Sequence, residues 1–170
     1  ASDEAVEAGT VDPAAYAVVD LVLGLERRTA WPDSSRAPAF EALPAALRQR
    51  LGTYLDGGGA LLVSGAHWAS DAAADPASAA WVRRYLGVEP GAGTVEASAL
   101  GGGSTPVRYV TAFNPDRYAV RTSDVVAPVA GAQSVRRYAE GDRSAAVLRG
   151  RALSYGVPLE AIADEPALAA

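Results

Sequence analysis

Two short apolar runs with an amphipathic helix between them constrain the fold more than any other feature of this chain. Residues 17–23 read Ala-Val-Val-Asp-Leu-Val-Leu, and residues 60–64 read Ala-Leu-Leu-Val-Ser. Nearly continuous runs of this kind are typical of strands covered on both faces, as in parallel sheets. The helix predicted over residues 44–56 has an apolar stripe made of Leu47, Leu51, Tyr54 and Leu55. The order strand, helix, strand predicts two parallel strands joined by a helical crossover.

A second helix is predicted to begin at Asp75 and Pro76, since Asp caps helices and Pro suits their first turn. After residue 87 the sequence changes from helix-forming to β-prone. Beyond it, short β-prone segments alternate with Gly and Pro breaks, and residues 137–144 predict a hairpin turn. Residues 152–155 predict a last strand, and a final helix is predicted to begin after Pro158.

The chain has 170 residues, which is enough for one domain. We expect an acidic leader over residues 1–13, a β-α-β-α half over residues 14–87 and a β-rich half with a final turn over residues 88–170. No run of eighteen apolar residues occurs, so no membrane span is expected.

Three features of the composition exclude classes of chemistry. The chain has no Cys and no Lys, which removes thiolate nucleophiles, Cys-ligated metals and Schiff-base lysines. It has a single histidine, His67, so we expect no metal site and no cofactor. The net charge is −5 and the arginine pairs are scattered, so we expect no nucleic-acid partner.

Two segments resemble the class I glutamine amidotransferase-like superfamily. Residues 47–71 contain a glycine run at residues 57–59, then Leu-Leu-Val-Ser-Gly-Ala-His over residues 61–67. In that superfamily a helix ends at a glycine pair, and the tip of the next strand carries a Gly-x-Cys-x-Gly elbow. Residues 155–162 look like the superfamily's last strand and turn.

A narrower resemblance is to a domain of secreted bacterial proteins labelled xanthan lyase or N-acetylmuramoyl-L-alanine amidase. It rests on residues 3–9, 16–26, 57–71 and 156–162. The resemblance implies a three-layer α/β fold of flavodoxin-like type, with a mainly parallel sheet flanked by helices and an added β-rich segment in the second half. It also implies a secreted or cell-envelope location, a domain truncated at both ends, and a partner in the rest of a larger polypeptide.

The superfamily's catalysis needs an elbow Cys and a late His-x-Glu pair, and this chain departs from both. His67 stands at the nucleophile position, where an imidazole cannot form the acyl-enzyme, and Glu160 has no accompanying His. Amidotransferase activity is therefore excluded. The leading hypothesis is a non-catalytic scaffold or binding module of a protein that acts on polysaccharide or peptidoglycan.

Two alternatives remain open. One is a hydrolase with a rebuilt site, because the carboxyl ends of parallel strands form the ligand crevice of such sheets. Its candidate residues are His67, Glu26, Asp71 and Glu160. The other is a carbohydrate-binding domain that stacks exposed tryptophan rings on glycans. Its candidate ligand-binding residues are Trp31, Trp68, Ser64 and Gly65.

Overall fold

The computed structural model of the chain describes residues 1–29, 40–102, 106–113 and 115–163. Its helices are α1 (Asp3–Glu7), α2 (Ala45–Asp56), α3 (Trp68–Ala72) and α4 (Pro76–Trp81), with a π-helical turn at Val82–Leu86 and 3₁₀ turns at Pro13–Ala15 and Leu159–Ala161. The strands of the first half are β1 (Val18–Gly24) and β2 (Ala60–Gly65). The strands of the second half are β3 (Val88–Glu89), β4 (Thr94–Val95), β5 (Ala99–Gly101), β6 (Val107–Arg108), β7 (Ser123–Asp124), β8 (Ala127–Pro128), β9 (Gln133–Tyr138), β10 (Ser144–Arg149) and β11 (Ala152–Tyr155).

Seven of these strands form one mixed sheet in the order β1-β2-β11-β10-β9-β5-β6. The β1–β2 and β2–β11 pairs are parallel, and the pairs from β11 to β6 are antiparallel. Two small antiparallel ladders, β3–β8 and β4–β7, are paired separately from this sheet. The chain is thus a mixed α/β domain, and the prediction that its two apolar runs form adjacent parallel strands is confirmed.

The larger core lies between the first strands of the sheet and the helices. Val19 pairs with Leu61 and Leu21 with Val63, so these four side chains share one face. Helices α2, α3 and α4 with its π-helical turn pack over that face through Leu47, Leu51, Trp68, Trp81, Val82 and Leu86. The apolar stripe predicted for α2 is therefore the surface that holds the helix on the sheet.

Helix α2 is also joined to α4 by a partly buried ion pair. Nη1 of Arg48 lies 3.1 Å from Oδ2 of Asp75, and Arg48 is buried. The same Asp75 oxygen accepts a hydrogen bond of 2.9 Å from the N–H of Ser78 in α4. Asp75 is the predicted N-cap of that helix, and the prediction is confirmed.

The acidic leader contains a short helix that its sequence does not predict. Helix α1 is capped by Ser2, whose hydroxyl accepts a hydrogen bond from the N–H of Ala5. Val6 of α1 packs against the larger core. The leader is therefore part of the domain.

The second half builds a smaller core around Leu100, Val120, Tyr138 and Val157. The predicted hairpin is present as β9 and β10. The helix predicted after Pro158 is wrong for the described residues, where one 3₁₀ turn is followed by a bridge between Ile162 and Tyr109. None of the described helices combines the length and the apolar character that crossing a bilayer requires.

Candidate functional site

The carboxyl ends of β1 and β2 meet at a tight turn that leads into α3. Gly24 pairs with Gly65 at the end of the two strands, and Ala66 and His67 connect β2 to α3. A β-carbon on Gly65 would lie 2.9 Å from Cβ of Leu23, so glycine is needed here for the two strands to pack together. The strand expected before residue 67 and the turn at its tip are present, and the short helix α3 that follows was not predicted.

This turn does not hold His67 as an elbow holds a nucleophile. A nucleophile elbow is a strained turn, whereas φ of His67 is −135° and no non-glycine residue in the described part has a positive φ. Burial, with the Arg27 cation nearby as a second cause, lowers the pKa of His67 below its usual range. Within the described residues no carboxylate forms an ion pair with His67, so the imidazole is neutral near pH 7 and lacks an acidic partner to orient it.

The side chain of Asp124, in β7, reaches the start of α3 directly after this turn. Its Oδ2 accepts hydrogen bonds from the N–H of Ala69 at 2.7 Å and of Ser70 at 3.0 Å. These are N–H groups of the first turn of α3, which would otherwise be free. The residue is fully buried, and burial raises the pKa of Asp124 to about 6 although both N–H groups oppose that rise.

The backbone of Asp124 is fixed from three directions. Its N–H donates to the carbonyl of Ala66 at 2.8 Å and to that of Gly156 at 3.1 Å. Its own carbonyl accepts a hydrogen bond of 2.6 Å from the hydroxyl of Tyr138. The turn after β2, the end of β11 and strand β9 therefore all hold the Asp124 carboxylate in place.

The side chain of Asp71 has a structural role, because it joins two chain segments to α3. It is buried, and its two carboxylate oxygens accept hydrogen bonds from the N–H of Arg28 at 2.8 Å and of Ala42 at 2.9 Å. The guanidinium of Arg28 also bridges Asp71 at 3.5 Å and Glu41 at 2.9 Å. Asp71 thus joins two chain segments to α3, and the described residues show no hydrogen bond or ion pair between its carboxylate and the His67 side chain.

Glu26 and Glu160 lie near the end of β1, and the structure pairs neither with the imidazole of His67. Burial, followed by the charges of Asp3 and Glu4, raises the pKa of Glu26 to about 7. Glu160 accepts a hydrogen bond from the hydroxyl of Tyr118 beside Gly24. The four catalytic candidates therefore do not form one constellation in the described part of the chain.

The described residues that were predicted to bind a ligand are all buried. The ring of Trp68 is fully buried and its N–H donates to the carbonyl of Tyr155 at 2.9 Å, so the prediction that it stacks on a sugar is wrong. Ser64 is buried within β2, so its hydroxyl is closed to a ligand, and Gly65 is a packing residue. Trp31 lies outside the described residues.

The described His, Asp and Glu residues contain no group of three that could hold a metal ion. Comparison with known proteins finds no family model, no curated protein and no solved structure that matches the chain.

Proposed function

We propose that this chain is a non-catalytic scaffold or binding module of a larger protein that is secreted or held in the cell envelope and acts on polysaccharide or peptidoglycan. The three-layer, amidotransferase-like form of the fold belongs to the same proposal, as does the rest of that polypeptide as its main partner. Location and parent protein rest on the sequence resemblance alone.

One observation is the main support for a non-catalytic role: the Asp124 carboxylate caps the start of α3. Acyl-transfer sites need free N–H donors aimed at the developing oxyanion, and helix N-termini often supply them. Here the N–H groups of Ala69 and Ser70 already bind a buried carboxylate. A second negative charge beside Asp124 would be repelled, so this turn is unsuited to stabilising an oxyanion.

The side chain at the nucleophile position gives a second line of support. His67 cannot supply the thiolate of an acyl-transfer site, and its strongest charged neighbour is the Arg27 cation. A general base is normally oriented by a carboxylate. No second function is favoured by a specific contact in the described residues.

The proposal is tested by incubating the chain with glutamine, N-acetylmuramoyl peptides and ester substrates, and measuring ammonia, peptide and alcohol release. We expect rates equal to those of buffer alone, and no difference between the unmodified chain and His67→Ala. Turnover that depends on His67 would contradict the proposal and restore the rebuilt hydrolase site.

A further inference from the structure

Strand β1 is an edge strand with the composition of an interior strand. In the described part of the chain its one strand partner is β2, so its other side carries unpaired backbone groups. Yet the strand is built almost wholly from Val and Leu, and Val18 and Val22 are 60% and 53% exposed. Natural edges are usually blunted with charges, proline or bulges. Strand β1 carries one charge, Asp20, and its register shifts only at its end, between Val22 and Gly24, so residues 18–22 form a largely apolar edge suited to pairing with another chain.

A groove of about 240 Å³ runs along this free edge, between α1 and β1. Its apolar walls come from α1, β1 and α2, and the residues that define it include Val6, Val11, Val19, Leu21, Leu47 and Leu51. The groove lies beside four successive residues of β1, residues 18–21. A chain lying in it would therefore be placed for backbone pairing with β1, and its alternate side chains would reach the apolar wall.

The charged side chains around the groove are of one sign. Among the described residues that line it, the charged side chains are Asp3 and Asp20, and both are acidic. Glu4 and Glu26 lie close by, since they and Asp3 interact electrostatically. An occupant with basic side chains is therefore favoured over a neutral or acidic one.

A second copy of this chain fits the edge poorly. Pairing two β1 strands would bring both acidic α1 helices to the same seam and both copies of Asp20 close together. Like charges facing each other across a strand pair are destabilising. The occupant that complements the edge is a different polypeptide.

We propose that the free edge of β1 binds an extended segment of a second polypeptide as an added strand, in which apolar residues alternate with basic ones. The backbone pairing supplies the affinity, and the apolar groove and acidic rim supply the selectivity. This inference goes beyond the proposed function, because the β1 edge and the turn after β2 are separate surfaces. It stands or falls independently of any activity at His67.

The test is a binding titration with two labelled peptides, one that alternates valine with arginine over seven residues and one that alternates valine with glutamate. We expect the arginine peptide to bind and the glutamate peptide to bind at least tenfold more weakly. Binding should slow amide hydrogen exchange in residues 18–23. An arginine peptide with proline at its centre should not bind, since proline removes a ladder donor.

The matched variants are Asp20→Arg at the edge and Asp142→Arg in the distant β9–β10 turn, where the Asp142 side chain is 92% exposed. Asp20→Arg should weaken the arginine peptide at least fivefold and strengthen the glutamate peptide, whereas Asp142→Arg should change neither. Equal weakening by both variants, or no binding of the arginine peptide, overturns the proposal. A dimer in sedimentation that protects residues 18–23 would assign the edge to a second copy and also overturn it.

Discussion

Gly156 lies so close to Asp124 that a β-carbon built on the glycine would be 2.1 Å from the Asp124 carbonyl oxygen. The same hypothetical carbon would lie 2.9 Å from the hydroxyl of Tyr138. The contact is possible only with glycine at position 156. It brings the end of β11 against the residue that caps α3.

Gly156→Ala should therefore be among the most damaging alanine substitutions in the chain. Because the atom in the way belongs to the backbone, the added methyl group can be accommodated only by moving β7 or β11. We expect a loss of about 3 kcal/mol or more in the free energy of unfolding. Urea denaturation followed by circular dichroism measures it.

Gly101→Ala is the matched control, because its β-carbon would meet its nearest neighbour, Cα of Ala139, at an ordinary 3.5 Å. It should change stability by less than about 1 kcal/mol. Equal effects of the two substitutions would mean that the close approach of residues 156 and 124 is absent in solution.

The buried carboxyl of Asp124 predicts that folding stability depends on pH. Its pKa is about 6 when folded, which is above the usual value of 3.8, so the folded state binds the proton more tightly than the unfolded state. The contribution of Asp124 to the free energy of unfolding should therefore be greatest below about pH 4 and be lost as the pH rises through about 6. Two pKa units correspond to about 3 kcal/mol at most.

Asp124→Asn isolates this contribution, because an amide oxygen can still cap α3 but cannot ionise. The difference in unfolding free energy between the unmodified chain and Asp124→Asn should change between pH 4 and 7 and be flat above that. Glu26, whose pKa is also raised, titrates in both proteins and cancels. A difference that is constant over the whole range would show that Asp124 is not buried as an isolated acid.

The sequence contained enough information to predict the parallel strands, because that signal is local. The apolar runs that became β1 and β2 and the stripe on α2 lie within one stretch of about fifty residues. Each can be recognised from its own periodicity. The predicted hairpin of β9 and β10 was found for the same reason.

The candidate site could not be predicted in this way, because its contacts join distant parts of the chain. Asp124 is 55 positions from Ala69, and no spacing rule connects a residue of a two-residue strand to the start of α3. From the sequence, Trp68 was a candidate for an exposed ring beside the turn. In the structure it is buried, and its N–H donates to the carbonyl of Tyr155 at the end of β11, which is 87 positions away. Burial of this kind is decided by the tertiary fold.

Ser154 offers a test of the core that is independent of the turn. Its side chain is fully buried in β11, and its hydroxyl has no hydrogen-bond partner among the described residues. Removing a buried hydroxyl that is unpaired relieves its desolvation penalty. Ser154→Ala should therefore leave thermal stability unchanged or raise it.

Ser144, in the neighbouring strand β10, is the matched comparison, because its buried hydroxyl does have a hydrogen-bond partner. Its hydroxyl lies 2.8 Å from that of Ser134 in a hydrogen bond. Ser144→Ala should lower the unfolding free energy by about 1 kcal/mol. The opposite order of the two variants in calorimetry would contradict the hydrogen-bond assignment.

His67 is the single histidine of the chain, so its titration can be followed without ambiguity. Burial and the Arg27 cation hold the pKa of His67 below its usual range, and burial is the larger cause. We expect the chemical shifts of its ring protons to report a midpoint of titration below pH 6.5 in an NMR experiment. Arg27→Gln removes one cause and leaves the other, so it should raise the pKa only part of the way towards the usual value. Arg143→Gln, in the distant β9–β10 turn, should leave it unchanged. A His67 pKa above the usual range would instead reveal a carboxylate partner, which is what a rebuilt hydrolase site would require.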